Sequence, residues 1–271
     1  MLEIFQYDFM INAFIVGILI AVIIPCIGVV IVLRRLSIMG DALSHVSLAG
    51  VAAGLAFGIN PVISAVVFAV AASLCIEKIR KSIPRYGEIS TAVIMSVGIG
   101  LAAILSGFVT SANFNSFLFG SLIAINKFEK YLIMALSIVV LALFLLLYRA
   151  LFYITFDEES AKLAGIPVPI VTFVFTVLTA VTISISSRVV GTLVVSSMMV
   201  LPVAVSMQIA KSFRQTVVFS VLFSVFFVVS GLFISYYLNL KPGGTIVIMG
   251  VTTLITTLLS KGFAGKVKRK D

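Results

Sequence analysis

The chain has 271 residues, 61% of them hydrophobic and 11% charged, with a formal net charge of +9 and a mean hydropathy of +1.27. Soluble domains carry about 25% charged residues, so that class is excluded, and the apolar residues come instead in repeated runs of about 20, the length that crosses a bilayer as a helix. The positive balance does not indicate nucleic acid, because the basic residues collect in short loops and in the tail 261–271, KGFAGKVKRKD, where topology and contact with anionic lipid account for them.

In chain order, the opening MLEIFQYDFM is acidic ahead of its first apolar run and lacks a cleavable signal-peptide pattern. A first span is expected over about 9–33, kinked at Pro25, and a second over about 40–57, ended by the turn Gly58-Ile59-Asn60-Pro61. A third reaches about Ile76 and is closed by the charged loop EKIRKSIPRYGE, and a fourth covers about 90–109 before the polar turn TSANFNS. Residues 117–125 are too short to cross and are expected to form a re-entrant or surface helix. A fifth span follows over about 131–148, and the polar segment FDEESAKLAGIP after it cannot lie in lipid. Spans six and seven, about 168–186 and 189–209, meet at Arg188; span eight covers about 216–238 and span nine about 245–259.

With the N-terminus outside and nine spans, fifteen of the nineteen Lys and Arg residues fall on the inner side and four on the outer. The positive-inside rule therefore supports an N-out, C-in arrangement of about nine transmembrane helices, or eight if one short run is misread. The expected fold class is thus an all-α polytopic membrane protein. No internal repeat is evident, and stretches such as GVAAGLAFG have the small residues that let helices approach closely. Cys26 and Cys75 fall inside spans without metal-ligand or disulfide spacing and read as small buried hydrophobes. Met198 and Met199 read as core.

The chemistry concentrates in RRLSIMGDALSHVSLAG, residues 34–50. It contains the chain's one histidine, His45, and Asp41, the one acidic residue placed in or beside a span. Four residues apart on a helix, the two side chains share a face about 6 Å apart along the axis. Two readings stand. Asp41 is an interfacial cap near Arg34 and Arg35 with His45 hydrogen-bonded in the bundle, or the pair binds a divalent cation. In the second, water, Ser44, Ser47 or the same pair from a second copy completes the shell, and a mixed N/O set suits zinc or manganese better than a soft metal.

Residues 156–167 read as a short amphipathic helix between two spans, with Asp157 near its start and Gly165-Ile166-Pro167 ending it. Such an element is either a docking surface for a soluble partner or a solvated loop. The chain lacks a GxxxxGK[ST] phosphate loop, so ATP hydrolysis is not expected of it, and one histidine cannot supply an intramembrane metalloprotease. An ion-coupled secondary transporter would want several intramembrane carboxylates, where Asp41 stands alone with Glu77 and Glu88 at loop edges.

RRLSIMGDALSHVSLAG resembles the signature of the zinc/manganese ABC transporter permeases, the ZnuB/TroC-type family. FDEESAKLAGIPV resembles that family's coupling helix, and VGTLVVSSMMVLPVA and SYYLNLKPGGTIVIM are similar to its later motifs. The likeness covers nearly the whole chain with four motifs in order. It implies a single transmembrane permease domain over 1–271 in a bacterial plasma membrane. This would be a transport subunit rather than an enzyme, moving zinc or manganese without a permanently bound cofactor. It further implies a homodimer or close heterodimer, two ATPase subunits and an extracytoplasmic metal-binding protein. On this resemblance Asp41 and His45 line the metal path, and Asp157, Glu158, Glu159, Ala161 and Gly165 belong to the ATPase-coupling element. Two departures stand out: Leu48-Ala49-Gly50 replaces a Leu-Pro-Gly, and Asn239 with Lys241 replaces an aspartate turn, so no metal role is carried onto that turn. A permease for a metal chelate such as a siderophore is the alternative cargo reading.

Overall fold

The computed structural model describes residues 6, 8–83, 87–109, 111–120 and 126–267, the side chains of 111–113, 115 and 262–267 aside. Its elements are all helices: α1 (Asp8–Leu33), α2 (Ser37–Phe57), α3 (Pro61–Ser82), α4 (Gly87–Ser106), α5 (Ser111–Phe119), α6 (Lys127–Phe156), α7 (Glu158–Leu163), α8 (Val168–Val190), α9 (Thr192–Met207), α10 (Phe213–Leu238) and α11 (Pro242–Val267). Helices satisfy every backbone polar group within one segment, which the interior of a bilayer demands.

Among the described residues, eight helices are long and apolar enough to cross a membrane: α1 to α4, α6, α8, α10 and α11. The stretch expected as a seventh span is the 16-residue α9. At 1.5 Å per residue it is about 24 Å long, shorter than the other spans, yet it still runs from one end of the bundle to the other, because α8 ends beside Phe119 and α10 starts beside Tyr148 and Phe152. The reason for its shortness is local: α8 continues through Arg188 to Val190, and the break falls at Gly191, whose φ of +101° suits glycine. The helix expected over 117–125 also shifts. The polar run SANFNS is itself helical in α5, which ends at Phe119, and 121–125 lie outside the described residues. Likewise α3 runs six residues past Ile76, because Glu77 pairs with Arg80 at 2.6 Å and Lys81 at 3.5 Å across its last turn. Of the two cysteines, Cys26 is buried as expected, but Cys75 is exposed on the outer face of α3.

Caps set the helix ends. Asn60 Oδ1 accepts from the Val62 and Ile63 amides with Pro61 in the first turn, and Asn126 forms a capping box with Glu129, arrangements that satisfy the orphan amides of an N-terminus. Four buried hydroxyls of α8 are satisfied within the helix: Thr176, Thr179, Thr182 and Ser184 donate to carbonyls four residues back.

The core lies along α1, α2 and α8, which are enclosed on most sides, whereas α4, α6 and α11 present much of their surface outward. Helix α1 packs against α6, α8, α9 and α10, and α2 packs against α3, α4, α8 and α9. The α1–α2 turn, the end of α3, α7 and the start of α10 gather at one end, joined by Arg34 to Glu158 at 3.5 Å and by the Tyr148, Phe152 and Phe213 rings at centroid separations of 5.4 Å. The opposite end gathers α5, the starts of α6, α9 and α11, and the end of α8, which meet at close backbone approaches. A Cβ on Gly191 would stand 2.5 Å from the Phe119 carbonyl carbon, and one on Gly243 would stand 2.3 Å from Val190 O.

Candidate functional site

Helix α2 holds the pair singled out by the sequence. Ile38, Asp41 and His45, spaced three and four apart, share one face of it. Two glycine contacts orient that face. Gly40 lies under the Met199 sulfur of α9, and Val46 sits on Gly98 of α4. The face carrying 38, 41 and 45 therefore opens between α4 and α9, and it is the least covered part of an otherwise buried helix. His45 Nε2 stands 3.9 Å from Asp41 Oδ1, with the side chains 25% and 48% exposed. That separation exceeds a hydrogen bond and is close to the roughly 3.4 Å expected between two ligands held tetrahedrally at about 2.1 Å from one ion. No hydrogen bond closes the pair on itself, and among the described residues no third His, Cys, Asp or Glu joins it.

Of the other candidates, Ser44 donates to Gly40 O at 2.9 Å and Ser47 contacts Ser187 at 3.4 Å, both inside the bundle. Met198 and Met199 are buried, and Met199 packs on Gly28 and Gly40, so both are core. Along α2 away from α7 the open face closes. Leu48 and Ala49 are buried beneath Phe117, with Phe114 and Leu118 of α5 around them. The exposed face at Asp41 and His45 is accordingly covered by α5 at its end away from α7.

Sequence reasoning missed what anchors α5. Arg188, expected in an outer turn, is buried inside α8, where Nε and a terminal nitrogen donate to Glu129 Oε2 at 3.1 and 3.0 Å. Its guanidinium also lies 4.4 Å from the centre of the Phe117 ring, a cation–π contact that is stronger away from water. At the same end Lys241 Nζ sits 3.6 Å over Phe119, and Asn239 closes α10 in the left-handed conformation.

Helix α7 forms where the sequence places it. Asp157 accepts from the Glu159 and Ser160 amides at 3.0 and 3.1 Å and from the Ser160 hydroxyl. These hydrogen bonds, led by that hydroxyl, hold its carboxyl below the usual aspartate range. The helix ends at Gly165, φ +78°, with Ile166 N–H donating to Ala161 O at 3.1 Å, a left-handed C-terminal cap. Ala161 is fully buried against the bundle, while Glu159 and Leu163 face outward. Glu158 joins the helix to the α1–α2 turn: it pairs with Lys162 at 3.2 Å and with Arg34 at 3.5 Å. Burial, and secondarily the neighbouring Arg80, lowers the pKa of Arg34, against which Glu158 and Glu77 act.

A family model described as the ABC 3 transport family matches residues 6–261. The chain belongs to that family. It is 36% identical over 254 residues, 93% of this chain and 96% of the other, to a probable metal transport system membrane protein of Treponema pallidum. It is 31% identical to the manganese import system permease protein ScaB of Streptococcus parasanguinis, covering 97% and 94% of the two chains. It is 26% identical to the high-affinity zinc uptake system membrane protein ZnuB of Haemophilus influenzae, covering 94% and 99%. In three dimensions it is similar to PsaBC from Streptococcus pneumoniae, solved in complex with Fab, with a TM-score of 0.84 at 28% identity over 94% of this chain and 92% of that one. The chain is therefore a multi-pass membrane permease of an ABC transport family, a transport subunit and not an enzyme.

Proposed function

We propose that this permease imports a divalent metal ion, zinc or manganese, through a path lined by Asp41 and His45. The observation that carries the reading is the placement of this carboxylate–imidazole pair on the open face of α2. A carboxylate at membrane depth costs a few kcal/mol on insertion scales and calls for a partner. Two ligands make a weak site, as a transporter needs for release. A second copy of the chain, facing the first across this face, would bring a second Asp41 and His45 and close a four-ligand N/O shell of the kind zinc and manganese accept. The likeness to permeases named for manganese and for zinc supports the same cargo class.

Transport is driven by separate ATPase subunits docking on α7, with an extracytoplasmic metal-binding protein delivering the ion at the α5 end. The charge distribution supports this orientation, since it leaves the N-terminus outside and the basic C-terminal tail in the cytoplasm. Motion of α7 passes through Glu158 to Arg34 and the α1–α2 turn, seven residues before Asp41. Release of the ion on the α7 side follows while α5 blocks the way back.

The test is uptake of radioactive zinc and of manganese, with mutual competition, in cells expressing the chain with its ATPase and binding protein. ATP-dependent uptake of one metal is expected, falling to background in His45→Ala and Asp41→Ala while both variants still insert. Normal uptake in both variants refutes the site, and uptake that persists without the ATPase refutes the importer reading.

A further inference from the structure

On the side of the bundle away from α2, helices α6 and α10 both run along α1 and meet each other near α7, where Tyr148, Phe152 and Phe156 pack on Phe213. Between them lies a valley of about 510 Å³ lined at its base by Cys26 of α1. Its walls are apolar, with Leu145 and Leu146 on α6 and Val218 on α10 all widely exposed. The exposed stripe continues away from α7 through Ile138 and Leu222, one or two turns further on. Two arginines, Arg149 and Arg214, close the valley at its α7 end. The salt bridges among the described residues involve neither of them.

Depth fits a bilayer interface. Arg149 lies 22 residues beyond Lys127 along α6, about 33 Å at the helical rise, which places it at the far edge of a hydrocarbon layer roughly 30 Å thick. Arg214 is the second residue of α10, at the same level. Two cations without a carboxylate, at the mouth of an apolar slot one chain wide, match an amphiphile with an anionic head. Guanidiniums suit phosphate because their fixed donor geometry engages two oxygens at once, and basic pockets between spans on the cytoplasmic side are where anionic headgroups bind. A soluble protein partner would leave the slot itself unfilled.

We propose that the α6–α10 valley is a binding site for an anionic phospholipid, its phosphate held by Arg149 and Arg214 and one acyl chain lying between Leu145, Leu146 and Val218. The lipid there completes the packing of α6 and α10 on α1 at the end of the bundle that carries α7.

The test is native mass spectrometry of the purified full chain offered an equal mixture of dioleoyl phosphatidylglycerol and dioleoyl phosphatidylcholine. Wild type is expected to retain phosphatidylglycerol preferentially. The double variant Arg149→Gln with Arg214→Gln is expected to lose about 30-fold of that retention, the equivalent of about 1 kcal/mol per interfacial arginine. A control losing the same charge elsewhere, Lys78→Gln with Lys261→Gln, should retain it. Filling the slot with Val218→Trp should lower retention severalfold while leaving the charge intact. Equal retention by the double arginine variant, or phosphatidylcholine held as well as phosphatidylglycerol, overturns the proposal. Loss in the arginine variant without loss in Val218→Trp, together with competition by glycerol phosphate, would make the site one for a free anion. Unchanged lipid retention with loss of the co-purifying ATPase would reassign both arginines to a protein contact.

Discussion

Two pairs of ionisable residues in this permease have opposite designs. Glu129 and Arg188 are 3% and 5% exposed, close at 3.0 Å, and supported by the Asn126 capping box and the Phe117 ring, so the pair is a fixed structural joint. Asp41 and His45 are part-exposed, 3.9 Å apart and outside hydrogen-bond reach of each other, as the proposed ion path requires. The difference predicts different consequences. Removing one partner of a buried pair leaves an uncompensated charge and costs about 3–5 kcal/mol, so Glu129→Gln should lower the thermal unfolding temperature in detergent markedly. Adding Arg188→Gln to it should restore much of the loss, because two neutral amides can bond each other. Substitutions at Asp41 or His45 should leave the unfolding temperature nearly unchanged while stopping uptake. A stable Glu129→Gln protein would deny the joint its role.

At the scale of elements, α5 and α7 lie at opposite ends of the bundle. Helix α5 is held by backbone as well as side chains: Gly120 and Gly191 meet the opposing chain at distances that leave no room for a Cβ, so the plug is seated by close approach and by the Arg188–Phe117 contact. Helix α7 is six residues long and could not persist alone, since short isolated helices are marginal in water. It is made by its two caps, by the buried Ala161 and by the Glu158 bridges. Gly165 has open space around its missing Cβ, so Gly165→Ala strains only the backbone, by roughly 1–2 kcal/mol for a left-handed residue. We expect Gly165→Ala to reduce transport-coupled ATPase activity severalfold with the bundle intact, and Gly165→Asn, which tolerates that conformation, to recover most of it. Equal activity of all three proteins would remove α7 from the coupling route.

At the scale of the whole molecule, the open face of α2 makes a single copy an incomplete permease under the proposed reading. If a second copy faces it there, Ile38→Cys, one turn from Asp41 and half exposed, should cross-link to a dimer with a short bismaleimide in membranes. Val218→Cys, in the α6–α10 valley, should not. Cross-linking from Val218→Cys alone would put the dimer on the other face and leave Asp41 and His45 without a partner pair.

Much of this was legible in the chain itself. Apolar runs of bilayer length, proline and glycine breaks and the lopsided basic residues determined a polytopic helical protein. The lone histidine four residues from a membrane-edge carboxylate drew attention to the open face of α2, and Asp157 with Gly165 bracketed α7. These signals are local, so spacing suffices to read them. What depended on the tertiary structure is how remote segments meet. Arg188 reads as a turn residue until Glu129, 59 positions away, is beside it. The run 189–209 reads as a span starting at Val189, until the Gly191 break gives Val189 and Val190 to α8 and leaves the shorter α9. The openness of α2 between α4 and α9, and the valley between α6 and α10, are gaps between helices distant in sequence, and a periodic apolar pattern carries no record of which neighbour is missing.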